Sequence, residues 1–292
     1  MLCCFSKRQY LWCAISSRKE SPIWAFTIEK FCEDIDMPEP RVIPILLLKD
    51  RKLVKTKKYK NPHYIGDPLN AIKIFNEKKV DELFIFDIDK SQKNNQIDFE
   101  FIEGLAGECF FPLCYGGGIK SVEDAKTLFS IGVEKICIQS AVLENNNIIR
   151  KLRDIFGSQA IVVSLDIKRS FFGYYKLYHT KKRKFLNINL HQFIQQIEAE
   201  GVGELLLSFV DREGSFQGAD LKAFADLTTG LSIPVILSGG VGNSNHVIDA
   251  VEAGADGVAI GSKFVFYGPH NAVLISYFDD MTLEAIHETR SK

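Results

Sequence analysis

Two glycine-rich segments, residues 116–118 and 239–242, each follow a short apolar run and precede an amphipathic stretch. Glycine lets the backbone approach a ligand closely, and the N-terminus of a following helix adds positive potential, so both segments suit a bound phosphate. Tight turns without a ligand are the alternative, but the duplication favours binding. We expect a first cradle of Gly117, Gly118, Gln139 and Ser140, and a second of Gly214, Ser215, Gly239, Gly240, Gly261 and Ser262.

Two ionisable side chains could act on a ligand held between these cradles. Asp166 ends an apolar run, and a carboxylate that is partly desolvated there can hold a proton for general acid or base work. A loop cap, or an ion pair with Lys168 or Arg169, is the alternative role for Asp166. Lys55 begins a basic stretch over 55–60 that could contact a phosphate or simply be solvated.

Four charged residues occupy the opposite ends of the predicted strands. They alternate in sign at the starts of the first, second, fourth and sixth strands. We expect them to form a ring of ion pairs around one axis, although isolated solvated charges are common at strand ends. The four residues are Arg41, Glu82, Lys135 and Glu204.

The elements that must position these residues alternate between short apolar runs and amphipathic stretches. Near-continuous apolar runs are typical of parallel strands buried on both faces. Eight such units in about 250 residues predict one (β/α)8 TIM barrel with an internal half-barrel duplication, and a doubly wound open sheet is the alternative. The predicted strands are 42–48, 82–88, 111–115, 135–139, 160–167, 204–209, 234–237 and 257–260, and the predicted helices include 67–79, 121–131, 146–156, 190–200, 221–228 and 245–253.

Composition limits the classes of function. The chain has 292 residues, 46% of them hydrophobic, and a formal net charge of -1, which argues against a nucleic-acid partner. No apolar run is long enough to span a membrane, and the seven cysteines show neither a C-x-x-C pair nor a metal-binding spacing, so we expect a reduced, cytoplasmic protein without metal. Residues 1–40 differ in composition, and we interpret them as an N-terminal extension to a barrel over 41–292, with Met37 a candidate natural start.

Seven motifs occur in an order that resembles HisF, the cyclase subunit of imidazole glycerol phosphate synthase. They are RVIPILLLKDRKLVKT, DELFIFDID, GGGI, GSQAIVVSLDIKR, GVGELLLSFVDREG, PVILSGGVG and GADGVAIGS, and the resemblance covers about residues 41–266. The resemblance implies a barrel that pairs with a HisH-like glutaminase on its N-terminal face and needs no cofactor. It also implies a small-molecule substrate with two phosphates, which reacts with ammonia that has passed through the barrel.

The resemblance assigns roles to single residues. Asp166 matches one of the family's two catalytic aspartates, whereas Leu47 stands in the place of the other. Lys55 matches a lysine of the flexible first loop, and the four alternating charges match the gate through which ammonia enters the family's barrel.

Three functions are compatible with these residues. Leu47 and the unusual segment 264–270 favour a HisF-like paralog that feeds ammonia into acetamidino-sugar synthesis for a surface polysaccharide, with a sugar amidotransferase as a further partner. The alternatives are the ordinary cyclase of histidine biosynthesis and an ammonia conduit without catalysis of its own.

Overall fold

A computed structural model describes residues 39–93 and 96–290. The predicted extension over 1–40, including Met37, therefore lies outside the described residues except for its last two positions. The strands are β1 (Arg41–Lys49), β2 (Lys52–Lys57), β3 (Lys60–Gly66), β4 (Leu83–Asp87), β5 (Leu113–Gly116), β6 (Lys135–Ile138), β7 (Ile161–Arg169), β8 (Tyr175–His179), β9 (Lys184–Phe185), β10 (Glu204–Phe209), β11 (Val235–Ser238), β12 (Gly257–Ile260), β13 (Phe266–Tyr267) and β14 (Ala272–Val273).

Eight of these strands form a closed parallel barrel. Their order around it is β1, β4, β5, β6, β7, β10, β11 and β12, and β12 pairs with β1 to close the sheet. All eight neighbouring pairs are parallel, which confirms the predicted (β/α)8 architecture.

Helices lie between the strands, and most begin at a side-chain cap. An Asp, Asn or Ser side chain accepts a hydrogen bond from a backbone N–H of the first turn, which satisfies a donor that the helix itself cannot. The helices are α1 (Pro68–Lys78), α2 (Ile88–Lys93), α3 (Phe99–Ala106), α4 (Val122–Ser130), α5 (Ser140–Glu144), α6 (Asn147–Phe156), α7 (Leu190–Ala199), α8 (Leu221–Thr228), α9 (Ser244–Glu252), α10 (Ser262–Val265) and α11 (Asp280–His287), with 3-10 turns at Ser158–Ala160 and Glu288–Arg290.

Side chains of the barrel strands alternate between two cores, because successive strand residues point to opposite faces. In β1, Val42, Leu46 and Leu48 pack between the barrel and its helices, whereas Ile43 and Ile45 point into the barrel. Each strand is therefore buried on both sides, which explains the continuous apolar runs in the sequence.

The strand registers confirm the half-barrel duplication. Leu47 lies opposite Phe86 in the β1–β4 pair, and Asp166 lies opposite Ser208 in the β7–β10 pair. Phe86 and Ser208 are 122 residues apart, as are Gly118 and Gly240. Leu47 and Asp166 therefore occupy equivalent positions in the two halves.

Two antiparallel additions, which the sequence pattern did not predict, rise from equivalent strands. In the first half, β2 pairs with β1 and with β3, and in the second half β8 pairs with β7 and with β9. Both follow the first strand of their half, so both stand at the C-terminal end of the barrel. No helix within the described part of the chain is long and apolar enough to cross a membrane.

Candidate functional site

A cavity of about 880 Å³ opens at the C-terminal ends of the barrel strands. Asp166, Lys55 and Leu47 line it, and so do all residues of both predicted cradles except Ser215. The Ser215 hydroxyl instead accepts a hydrogen bond from the backbone N–H of Gln217 within its own loop, at 3.3 Å. The structure thus brings together residues from the C-terminal ends of seven barrel strands that are far apart in sequence.

Backbone geometry at the two cradles requires glycine. Gly117 and Gly239 are equivalent, and both have positive φ angles, of 129° and 109°. A β-carbon would lie 2.4 Å from the carbonyl oxygen of Asp87 at the first position and 2.7 Å from that of Phe209 at the second. Glycine at both positions is therefore required by the positive φ angle and by the close approach to the neighbouring strand end, and both glycines line the cavity.

Asp166 is buried in the cavity wall, with 5% of its surface exposed. The Tyr59 hydroxyl donates to Oδ1 at 3.1 Å, and the Thr180 hydroxyl donates to Oδ2. Burial raises the pKa of the Asp166 carboxyl above its usual value, and the hydrogen bonds from Thr180, Gln139 and Tyr59 offset part of that shift. This carboxyl can therefore exchange a proton with a ligand more readily than an exposed aspartate.

The hairpin formed by β2 and β3 folds across the cavity and is fastened to its far side. Lys55 Nζ lies 2.5 Å from Glu213 Oε1, and the backbone N–H of Tyr59 donates to Glu213 Oε2 at 3.3 Å. A β-carbon on Gly261 would come within 2.8 Å of Lys55 Nζ, so this ammonium group lies against the second cradle. Burial and the carboxylates of Asp166 and Glu213 raise the pKa of the Tyr59 hydroxyl, which therefore stays a hydrogen-bond donor at neutral pH.

The cavity wall between the cradles differs in polarity from one half to the other. The first half contributes apolar groups, Ile45, Leu47 and Phe86, together with Cys137, whose thiol pKa is raised by burial. The second half contributes Ser164, Asp166, Ser208 and Ala259 at the equivalent positions.

At the opposite end of the barrel, the four alternating charges form the predicted ion-pair ring. Arg41 contacts Glu82 at 2.6 Å and Glu204 at 3.1 Å, and Lys135 contacts each of the same two carboxylates at 2.9 Å. Burial raises the pKa of Glu82 despite its cationic neighbours. Burial alone would lower the pKa of Lys135, but Glu204 and Glu82 raise it above its usual value.

An apolar layer separates this ring from the cavity. Its members point into the barrel, and none has any exposed surface. The layer consists of Ile43, Phe84, Cys114, Val162, Leu206 and Ile236. The axis of the barrel therefore runs from a charged ring through a dry apolar segment to a polar, ligand-sized cavity.

Sequence reasoning missed two of the three side chains that hydrogen-bond Asp166, namely Tyr59 and Thr180. Both come from the antiparallel additions, whose short Lys-rich strands carry no clear alternation, so no local signal identifies them. The contrast between Phe86 and Ser208, in comparison, was available from the 122-residue repeat. Among the described residues, no group of three or more His, Cys, Asp or Glu side chains is placed to hold a metal ion.

The family described as "Histidine biosynthesis protein" matches residues 41–270. A Pseudomonas aeruginosa relative, named "Putative imidazole glycerol phosphate synthase subunit hisF2", is 47% identical over 244 residues, which is 83% of this chain and 97% of the relative. A Vibrio vulnificus relative named as subunit hisF3 of the same synthase is 44% identical over 82% of this chain and 94% of its own length. "Imidazole glycerol phosphate synthase subunit HisF" of Streptococcus sanguinis is 32% identical over 80% and 92%.

Proposed function

The chain belongs to the histidine biosynthesis protein family and is HisF-like, and from this membership we propose that it is a synthase subunit that uses ammonia on a phosphorylated acceptor. The observation that carries the proposal is the succession of three features along one axis. They are the ion-pair ring, the apolar layer, and the cavity that holds both cradles and Asp166.

Ammonia enters, in this proposal, from a HisH-like glutaminase that docks on the N-terminal face. The ring lies at that face, with Glu82 almost completely buried between Arg41 and Lys135. The layer beyond it offers no polar group to ammonium, so the species that crosses is neutral ammonia. The cysteine of the layer, Cys114, keeps its proton because burial raises the pKa of the thiol.

Asp166 then acts as the proton donor or acceptor at the acceptor's reacting atom. Its raised pKa suits it to this role, and the hydroxyls of Tyr59 and Thr180 fix the orientation of the carboxyl group. Backbone N–H groups of the two cradles hold the acceptor by its phosphates, and the Lys55 ammonium group, paired with Glu213, donates hydrogen bonds beside the second cradle.

The acceptor, we propose, differs from the ribulosyl bisphosphate of ordinary HisF proteins. Leu47 can neither transfer a proton nor accept a hydrogen bond, and Phe86 beside it makes this part of the wall apolar. An acetamidino-sugar pathway for a surface polysaccharide, with a sugar amidotransferase as a further partner, is the function we favour.

A direct test supplies the ribulosyl bisphosphate with excess ammonium salt, which replaces the glutaminase. The wild-type chain is expected to turn it over slowly, and Leu47→Asp to gain roughly 10²- to 10⁴-fold, the usual contribution of one acid–base group. Leu47→Asn is the matched control, because asparagine has nearly the shape of aspartate but cannot ionise. It is expected to gain no turnover.

Rapid turnover by the wild-type chain would overturn the acceptor assignment and would support the second candidate function, the cyclase of histidine biosynthesis. The survival of both cradles in the cavity is the observation that favours that candidate. An equal gain in Leu47→Asp and Leu47→Asn would show that polarity, and not a missing carboxylate, limits the reaction.

A further inference from the structure

Positive charge is concentrated in the two segments that stand over the cavity. Segments 51–66 and 168–189 contain 13 of the chain's 36 Lys and Arg residues and none of its 37 Asp and Glu residues. Each segment extends from the first strand of its half of the barrel. A chain with a net charge of -1 thus places a strongly positive potential over one end of the barrel.

Three of these cations are neutralised by acids from other parts of the barrel. The ion pairs are Arg51–Asp98, Lys55–Glu213 and Arg169–Asp220. Lys168 lies over the ring of Tyr178, 4.7 Å from its centroid. The remaining cations of the two segments form no ion pair with any described residue, so their charge is available to a ligand.

Three consecutive cations of the second segment lie at the cavity itself. Lys181 and Lys182 line the main cavity, and Lys181 and Arg183 also line an adjoining recess of about 270 Å³. Tyr59 and Thr180 form the rest of that recess. Since the hydroxyls of these two residues hold Asp166, the recess lies directly beside the carboxyl group.

We propose that Lys181, Lys182 and Arg183 form a third anion subsite, separate from the two glycine cradles, that binds a diphosphate group of the acceptor, as in a nucleoside diphosphate. The assignment rests on the proposed function, because it concerns the same cavity. The cradles hold phosphates through neutral backbone N–H groups, whereas this cluster supplies full charges that suit a more highly charged group.

The concave, ligand-sized cavity that Lys181 and Lys182 line favours a small ligand over an acidic protein surface, which would need a broad convex or flat face. Tyr178 and Phe185 supply a second, independent feature of the same segment. Their rings pack edge to face with centroids 5.5 Å apart, and 41% of Phe185 is exposed. Phe185 follows Arg183 by two residues, and its exposed ring offers a stacking surface for a nucleotide base.

Calorimetric titration of the full chain tests this subsite with three probes: inorganic phosphate, inorganic pyrophosphate and UDP. In a Lys181→Ser/Lys182→Ser/Arg183→Ser variant, affinity for pyrophosphate and UDP should fall about tenfold or more, while affinity for inorganic phosphate at the cradles stays within about twofold. A Lys73→Ser/Lys78→Ser/Lys126→Ser variant removes the same charge from exposed helix positions and should bind all three probes as the wild type does.

The subsite would be overturned by unchanged pyrophosphate affinity in the Lys181→Ser/Lys182→Ser/Arg183→Ser variant, or by an equal loss in both variants. Loss of binding to an acidic protein in the first variant would not rescue it. Failure of inorganic phosphate to bind the wild type would instead count against the cradles and the proposed function. Weaker UDP binding in Phe185→Ala, with pyrophosphate binding unchanged, would identify the ligand as a nucleoside diphosphate. If the wild type and Phe185→Ala each bound UDP as tightly as pyrophosphate, the diphosphate group alone would account for binding at the subsite.

Discussion

The two halves of the barrel present equivalent glycines to one cavity but different side chains between them. Gly117 and Gly239 have similar conformations and similar close neighbours. Leu47 and Phe86 of the first half, in contrast, correspond to Asp166 and Ser208 of the second. Anion binding in this scaffold depends on backbone geometry, which both halves keep. Proton transfer depends on single side chains, and of the equivalent positions 47 and 166 only the second carries a carboxylate.

The largest expected effect comes from removing the carboxylate of Asp166. Asp166→Asn, introduced into the Leu47→Asp variant, should lower ammonium-dependent turnover of the ribulosyl bisphosphate by about 10²- to 10⁴-fold, because both carboxylates then have to act together. Steady-state kinetics measures the loss. Asp211→Asn is the control, since Asp211 belongs to the same half but accepts a backbone hydrogen bond from Arg169 outside the cavity. Comparable losses in both variants would contradict a specific role for Asp166.

Next in size is the effect of a β-carbon at the equivalent glycines. Gly117→Ala and Gly239→Ala should each lower the free energy of unfolding by about 2–4 kcal/mol, because the new atom meets a backbone oxygen and φ is positive. Denaturant titration measures both. Gly104→Ala, within α3 and with no atom near its β-carbon, should instead raise stability by about 0.5–1 kcal/mol. A loss at only one of the two cradles would show that their backbones are not equivalent.

The two halves of the barrel also differ at the ion-pair ring, because Lys135 of the first half corresponds to Gly257 of the second. Lys135→Met leaves Glu82 and Glu204 with Arg41 as their common partner and should cost about 2 kcal/mol of stability. It should also uncouple glutamine hydrolysis by the glutaminase from use of ammonia in the assembled complex. Lys126→Met, on an exposed helix face, should change neither denaturant stability nor coupling, and an unchanged Lys135→Met would remove the ring from the ammonia path.

The smallest expected effect is on stability against pH. Because the folded-state pKa of Asp166 is raised, the folded protein binds more protons than the unfolded chain between the usual and the raised value, and stability falls as pH rises through that window. Above the window, the buried charge destabilises the fold. Asp166→Asn should therefore gain about 1 kcal/mol at pH 7, and the gain should vanish below the usual aspartate pKa. A gain that is independent of pH would point to packing.

The sequence predicted the barrel well because parallel strands buried on both faces leave a strong signal. Strands 204–209 and 257–260 and helix 221–228 were predicted with the bounds that the structure has. The antiparallel additions were missed because lysines interrupt the apolar residues of strands such as Lys52–Lys57, so no continuous apolar run marks them. With them went Tyr59 and Thr180, whose contacts with Asp166 join parts of the chain up to 107 residues apart.

The cradle glycines were also predictable from the sequence, because a glycine that is required by a close backbone contact leaves a recognisable motif. Ser215 was assigned to the second cradle by its neighbourhood in sequence, but it turns into its own loop instead of the cavity. Side-chain direction within a loop depends on tertiary contacts that no local pattern encodes.

The dry layer between the ring and the cavity also divides the barrel for proton conduction. A proton moves through a protein along water or exchangeable side chains, and the layer offers a single exchangeable group, the Cys114 thiol, whose pKa burial raises. Solvent therefore exchanges protons with Asp166 from the C-terminal side of the barrel, past Tyr59 and Thr180. Acidification at the N-terminal face alone would leave the protonation of Asp166 unchanged.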